Sequence, residues 1–231
     1  MLILAIESAS TQVGVAVGGH EGIIASAHSA KGRRHAEELA PQIDFVRKQA
    51  QIELSDLGAI AVDLGPGLFT GMRVGITTGI TMATMLGIPM VGVTSLDLLA
   101  FPVRYTSKRI IAVLDARRGE VFHASYRQVP GGIQRLTDYA VGTPDELAAE
   151  VQALGEDTLL VGDGAIRYAD QLRTTRTVIA ENGLAFPNAS SLVQLAHARA
   201  LREEFVPPRE IEPFYLRQPD VDTSLIERSS S

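Results

Sequence analysis

The 231 residues give room for one large domain or two small ones, and a 45% hydrophobic share is enough to fill real cores. A formal net charge of −6 argues against a chain that holds nucleic acid by itself, and the lack of cysteine excludes disulfides, thiolate metal sites and cysteine nucleophiles. With no tryptophan there is little material for base stacking, and the start MLILAIESAS lacks the basic segment of a secretory signal, so a cytoplasmic protein is expected.

In chain order, Leu2 to Ile6 is an apolar run ending at Glu7, followed by a Ser8-Ala9-Ser10-Thr11 turn and a second strand, Val13 to Val17. A glycine hairpin at 18–22 leads to a third strand, Ile23 to Ser29. Lys31 to Arg34 is a basic loop. His35 to about Gln51 reads as a helix with Leu39, Ile43 and Val46 on one face, and Pro41 inside it predicts a kink or a late start. An apolar run from Ala59 to Leu64 then enters Gly65-Pro66-Gly67, with Thr70 placed to cap a helix ending near Leu86. A strand at Met90 to Val93 closes this half.

The helix after Gly67 is unusual. Gly71, Gly75, Gly79, Ala83 and Gly87 recur every fourth residue, and Arg73 is the only charge between Asp63 and Asp97. Each interior glycine costs roughly 1 kcal/mol against alanine, so something must approach the bare backbone closely. A helix without a charged stripe is normally buried on all sides. We therefore expect one face on the chain's own sheet and the other on a second protein. A membrane span over Val74 to Val93 is disfavoured by four threonines and Pro89. No Gly-Lys-Ser/Thr follows, so this is not a Walker loop, and the glycine spacing and missing ribose-binding acid exclude a dinucleotide fingerprint.

The order then repeats. Ile110 to Leu114 ends at Asp115, a second strand spans Val121 to Tyr126, and a glycine hairpin leads to a third over Ile133 to Ala140. Thr143-Pro144-Asp145-Glu146 starts a helix, Thr158 to Val161 and Thr177 to Ala180 are strands, and Asn188 begins a final helix to about Phe205. Two β-β-β-α-β-α-β halves, 1–104 and 105–231, each with an acid after its first strand, describe the α/β architecture of actin, sugar kinases and the Hsp70 ATPase. By fold analogy Glu7, Ser8, Ser10, Thr11 and Asp115 are the candidates for holding ATP or ADP in the cleft between halves. For Ser8, Ser10 and Thr11 a plain polar turn is the commoner meaning.

Four blocks carry a resemblance: IESAS at 6–10, HAEELAP at 35–41, GPGLFTGMRVG at 65–75 and LDARRGEVF at 114–122, with PFYLR at 213–217. Together, over nearly the whole chain, they resemble the TsaB family, formerly YeaZ, of bacterial tRNA threonylcarbamoyladenosine biosynthesis. That resemblance implies a non-catalytic subunit. It would bind a catalytic paralogue, TsaD, which transfers threonylcarbamoyl from its adenylate to the adenosine beside the anticodon. A TsaE ATPase would join the pair, tRNA would be met only through the complex, and the chain alone would form a homodimer. No cofactor would be required by this chain, although ATP or ADP could also sit at the complex interface. The family pairs through the helices at 35–51 and 70–86, which makes His35, Leu39, Ile43, Phe69, Met72, Arg73, Gly75, Ile76, Gly79 and Met82 the candidate contacts.

The residues bear on this independently. The catalytic paralogue holds its metal through two histidines one helical turn apart. Here Leu39 stands four after His35, and His20, His28, His123 and His197 lie on separate elements, so no metal site is expected. Glu37 and Glu38 read as first-turn acids favoured by the helix dipole. Arg117 and Arg118, like Lys31, Arg33 and Arg34, read as solvated turns or as contacts to tRNA or a partner. The alternative reading is a stand-alone ATP-dependent kinase or ATPase.

Overall fold

Strands β1 (Leu2–Glu7), β2 (Val13–Gly19), β3 (Gly22–Ser29), β4 (Leu57–Asp63) and β5 (Met90–Val93) form a mixed sheet ordered β3-β2-β1-β4-β5 in the computed structural model, which describes residues 1–30 and 34–217. The hairpin pairs β1, β2 and β3 are antiparallel, while β1, β4 and β5 run parallel because helices intervene. The second sheet repeats the plan. It comprises β6 (Arg109–Arg117), β7 (Glu120–Val129), β8 (Gly132–Arg135), β9 (Ala140–Gly142), β10 (Thr158–Val161) and β11 (Thr177–Ile179). Its order is β11-β10-β6-β7-β8, the same winding, with β9 also on β7. This is the duplicated actin-like α/β fold. The expected third strand over 133–140 divides into β8 and β9 because Leu136 N–H donates to Ser125 O (2.7 Å) and Thr137 Oγ1 accepts from Ser125 N–H (3.0 Å), a local detour. Lys31 and Arg33 lie outside the described residues.

Alternation along the strands sends the two faces of the first sheet to different helices. Leu4, Ile6, Val15, Val17, Ile60 and Val62 meet α1 (His35–Ala50) and α2 (Phe69–Leu86), which lie side by side. The opposite face is built of small residues, Ala5, Ala16, Ala59 and Ala61 among them. Against it lies the final helix, α7 (Ala189–Ala200), through Ala189, Leu192, Val193, Ala196 and Ala200. Between these come α3 (Ser95–Ala100), α4 (Pro144–Leu154), α5 (Asp163–Arg167) and α6 (Ala169–Leu172). Helix α3 inserts Leu96, Leu99 and Ala100 among Ile110, Ala112 and Leu114 of the second sheet. The division at 104 and 105 therefore does not hold for packing: each half lends a helix to the other's sheet.

Several local expectations are realised by the chemistry that motivated them. Thr143 and Glu146 form a reciprocal capping box at the start of α4, with Pro144 at the first helical position. Asn188 caps α7 by accepting from Ser191 N–H (2.8 Å). Helix α1 runs from His35 through Pro41 to Ala50. Thr70 does not cap α2. That helix begins one residue earlier after Leu68, whose N–H donates to Ala9 O (2.6 Å), so the neighbouring turn holds the helix start in place of a side-chain cap.

The glycine stripe of α2 faces inward. A β-carbon at Gly75 would collide with Ser8 Oγ and crowd Ile6, and one at Gly79 would press on Val62, Met90 and Ile60. Gly71 meets Ser8 O and the His35 ring in the same way, while Gly87 serves as the left-handed C-cap (φ 67°). The close approach that three interior glycines demand is supplied by the chain's own sheet. Gly75→Val should accordingly destabilise the isolated chain by roughly 1–3 kcal/mol in urea unfolding, since Ser8 and Ile6 side-chain atoms already stand where its β-carbon would go. Wild-type stability in that variant would overturn this packing.

Candidate functional site

The first candidate is the junction between halves, where the turns after β1 and β6 converge. Glu7 is fully buried; its Oε1 accepts from Ala9 N–H (3.0 Å) and Ser10 N–H (3.3 Å), and its Oε2 has no partner among the described residues. Burial first, and then the charge of Asp63, holds this carboxyl well above the ordinary carboxylate range. Asp63, at the end of β4, accepts from Gly65 N–H (2.8 Å) and from Ser95 Oγ (2.7 and 2.9 Å). Burial pushes it up to about 7 against those hydrogen bonds, which favour the charged form. Sequence reasoning missed Asp63, although a strand ending in an acid before Gly-Pro-Gly was a visible signal.

The groups proposed to hold phosphate are occupied by the protein itself. Ser8 Oγ donates to Gly71 O (2.9 Å), and Ser10 Oγ accepts from Gln12 N–H (3.1 Å). The Gly65–Leu68 turn lies on the Ser8–Ser10 turn so tightly that a β-carbon at Gly67 would overlap Ala9 O. Asp115 accepts from Arg117 N–H (2.9 Å) and pairs with the guanidinium groups of Arg117 (3.1 Å) and Arg167 (3.4 Å). Asp163, raised by burial and by Asp115 nearby, accepts from Asp115 N–H (3.0 Å). The structure does bring Ser10, Thr11 and Asp115 together, around a space of about 20 Å³. That is room for one water, whereas small-molecule sites span roughly 300–1,000 Å³. The Ser10–Thr11 side of the junction is thus filled, while on the other side of Asp115 a hollow of about 340 Å³ is lined by Gly67, Phe69, Arg117, Phe122, Tyr215 and Arg217.

His35 is likewise committed. Buried at the start of α1, it donates from Nε2 to Ser10 O (2.8 Å), so it stitches the helix to the β1 turn, and Leu39 one turn on is in the core. Among the described residues no group of three or more potential ligands could hold a metal.

The second candidate is the outer surface of α1 and α2. Here the sequence assignment divides. Leu39, Ile43, Met72 and Ile76, with His35, Gly75 and Gly79, are buried in the chain's own core, so their apolar spacing reports the inward face and they are corrected as surface contacts. Phe69 and Arg73 stay outward, while Met82 is half-buried and packs against the same core. The Arg73 guanidinium lies 3.9 Å from the centroid of Phe69, its Nε donates to Tyr215 Oη (2.8 Å), and Tyr215 stacks on Phe69 at 5.4 Å. The 213–217 segment thus straps the start of α2, tied also by Phe214 N–H to Leu64 O (2.7 Å). Sequence reasoning passed over the exposed Thr77, Thr81 and Thr84, Met85 (82% exposed) and Phe45 (51%). Thr78 and Thr81 turn their hydroxyls to the carbonyls of Val74 and Thr77 (2.8 Å each), which leaves methyl groups facing out. The face is more apolar than its letters.

The buried acids carry a sign. The folded chain holds protons on Glu7 and Asp63 that the unfolded chain releases, so stability falls as pH rises, for Asp63 between its ordinary value of 3.8 and about 7, with Glu7 acting in the same direction. Calorimetric melting at pH 5 and pH 8 should give a lower Tm at pH 8, and Asp63→Asn should shrink that difference. Equal differences in both proteins would contradict a burial-raised carboxyl at Asp63.

Comparison with known proteins follows this geometry. A family model described as TsaD, tRNA N6-adenosine threonylcarbamoyltransferase, matches residues 22–224. The chain is 30% identical over 222 residues to the tRNA threonylcarbamoyladenosine biosynthesis protein TsaB of Escherichia coli (strain K12), covering 94% of this chain and 95% of that protein. It is 32% identical over 167 residues to the TsaB protein of Bacillus subtilis (strain 168), 69% of this chain and 73% of that one. A solved structure titled YeaZ from Pseudomonas aeruginosa superposes with a TM-score of 0.83 at 28% identity, covering 93% of this chain and 99% of that chain. With the Escherichia coli relative matched over 95% of its length at 30% identity and the Pseudomonas aeruginosa structure sharing the fold, the chain belongs to the TsaB (YeaZ) family.

Proposed function

We propose that this protein is the non-catalytic subunit of the system that forms threonylcarbamoyladenosine beside the anticodon of tRNA. It binds and supports a TsaD-like catalytic paralogue, which transfers threonylcarbamoyl from threonylcarbamoyl-AMP. A TsaE-like ATPase completes the assembly in the cytoplasm, tRNA is engaged only through the complex, and the isolated chain self-associates through the same face. The observation that carries this reading is the outer face of α2: Arg73 is its one charged residue, Thr78 and Thr81 turn their hydroxyls to the helix's own carbonyls, and Met85 stands almost fully exposed. Exposed apolar surface of that kind seeks cover.

The committed state of the cleft supports a supporting role over chemistry. Glu7 is buried, Asp115 is paired with two arginines, and the serine hydroxyls serve the backbone, so no free base, metal ligand or phosphate cradle is offered there. The kinase or ATPase alternative gains nothing from this geometry, and no cofactor is required of the chain itself. Support for TsaD then amounts to a population shift in the partner, driven by surface that only its competent form covers.

Thr77→Glu and Thr81→Arg place a charge on the outer face without touching the core. Both variants should melt like the wild type, bind purified TsaD-like protein at least tenfold more weakly by calorimetry, and lose tRNA modification in a reconstituted reaction. Wild-type affinity in both would refute the docking face. Magnesium-dependent ATP turnover by the isolated wild-type chain, lost in Asp115→Ala, would refute the non-catalytic assignment.

A further inference from the structure

A second cavity lies away from both the cleft and the outer face of α2. It has a volume of about 560 Å³ and opens between α7, which covers the first sheet, and the β7–β8 hairpin of the second. Its floor is Asp97 on α3, which accepts from Tyr126 Oη (2.9 Å) and Tyr139 Oη (3.0 Å) and faces Arg199 at 3.5 Å. Tyr139 Oη also shares a hydrogen bond with Thr94 Oγ1 (2.9 Å). The floor is thereby satisfied, and both tyrosines are held as neutral phenols, pushed up first by burial and then by Asp97.

The walls differ. Arg135, Arg199 and Arg202 line the cavity against the single acid Asp97, in a chain whose formal charge is −6. Arg199 is anchored to Gly92 O and Asp97. Arg202 pairs with Glu204 at 2.5 Å, both half-exposed, an ion pair of small net worth that an incoming anion can displace. The guanidinium carbon of Arg135 lies over the Tyr139 ring, 3.9 Å from its centroid, and no carboxylate lies within ion-pair distance of it among the described residues. A ring contact holds the cation in place without using its N–H donors, the condition suited to receiving a phosphoryl group. Phe101, Ile133 and Leu195 add apolar wall, and the volume falls within the range of small-molecule sites.

We propose that this cavity binds a small phosphorylated molecule, its phosphoryl group held by Arg135 and Arg202 with Arg199 behind them, and its body against Phe101, Ile133 and Leu195. No residue of α1 or α2 lines the cavity, so the site is separate from the face on which the proposed pairing rests. A half-open hollow between a helix and a hairpin suits a free ligand better than the backbone of a nucleic acid duplex.

The test is titration of the full chain with pyrophosphate, followed by calorimetry and by amide chemical shifts. Saturable one-to-one binding is expected, with shifts centred on Gly131, Gly132 and Tyr139. Arg135→Gln and Arg202→Gln should each weaken it about tenfold without altering the melting curve. Arg127→Gln, on the opposite face of the β7–β8 ribbon, should leave it unchanged. No binding by the wild type, full binding by the double variant R135Q/R202Q, or equal loss in R127Q would overturn the proposal. So would a single-stranded RNA oligomer that binds the same residues more tightly than pyrophosphate.

Discussion

The distance between α2 and its sheet governs this molecule. Ser8 Oγ, Ile6 and Val62 occupy the volume that side chains at Gly75 and Gly79 would need. The helix therefore lies nearly against the strands, and the Ser8 hydroxyl reaches the carbonyl of Gly71. That approach fixes the helix start over the β1 turn, which in turn presses Gly67 onto Ala9 and buries Glu7 beneath. Packing set by the absence of two side chains leaves little room around the Ser8–Ser10 turn.

The same constraint separates the two sides of α2. Its inward side spends small residues on proximity, and its outward side spends threonines on back-bonding to the carbonyls one turn earlier. What remains outside is methyl, thioether and one guanidinium pinned between Phe69 and Tyr215. An uncharged helix surface need not be buried within its own chain when the opposite face has already secured the fold. The two halves are likewise held by reciprocity, α3 packing on the second sheet and α7 on the first, with Asp97 bonded to tyrosines of one half and to the arginine of α7.

Much of this was legible in the sequence. Strand alternation, glycine hairpins and the Thr143–Glu146 box placed most elements, and the repeated acid after each first strand gave the duplicated topology. The glycine stripe correctly announced a close approach, but periodicity marks a face without saying which neighbour it meets, so Gly75 and Gly79 were assigned outward. Apolar spacing misled in the same way for Leu39, Ile43, Met72 and Ile76, since core and docking residues obey the same helical period. Helix α3 escaped notice because six residues of SLDLLA are too few to display a period. The fate of α7 was hidden because a helix's own pattern cannot state which of two sheets it will cover.

That last feature bears on how the polypeptide is made. The alanine-lined face of the first sheet, formed by residues near the beginning, stays uncovered until Leu192, Val193 and Ala196 have left the ribosome. Translation of most of the chain must finish before the earliest strands acquire their full shelter. An abundant nascent chain of this kind presents a holding chaperone with a defined, transient, greasy sheet instead of a random unfolded segment.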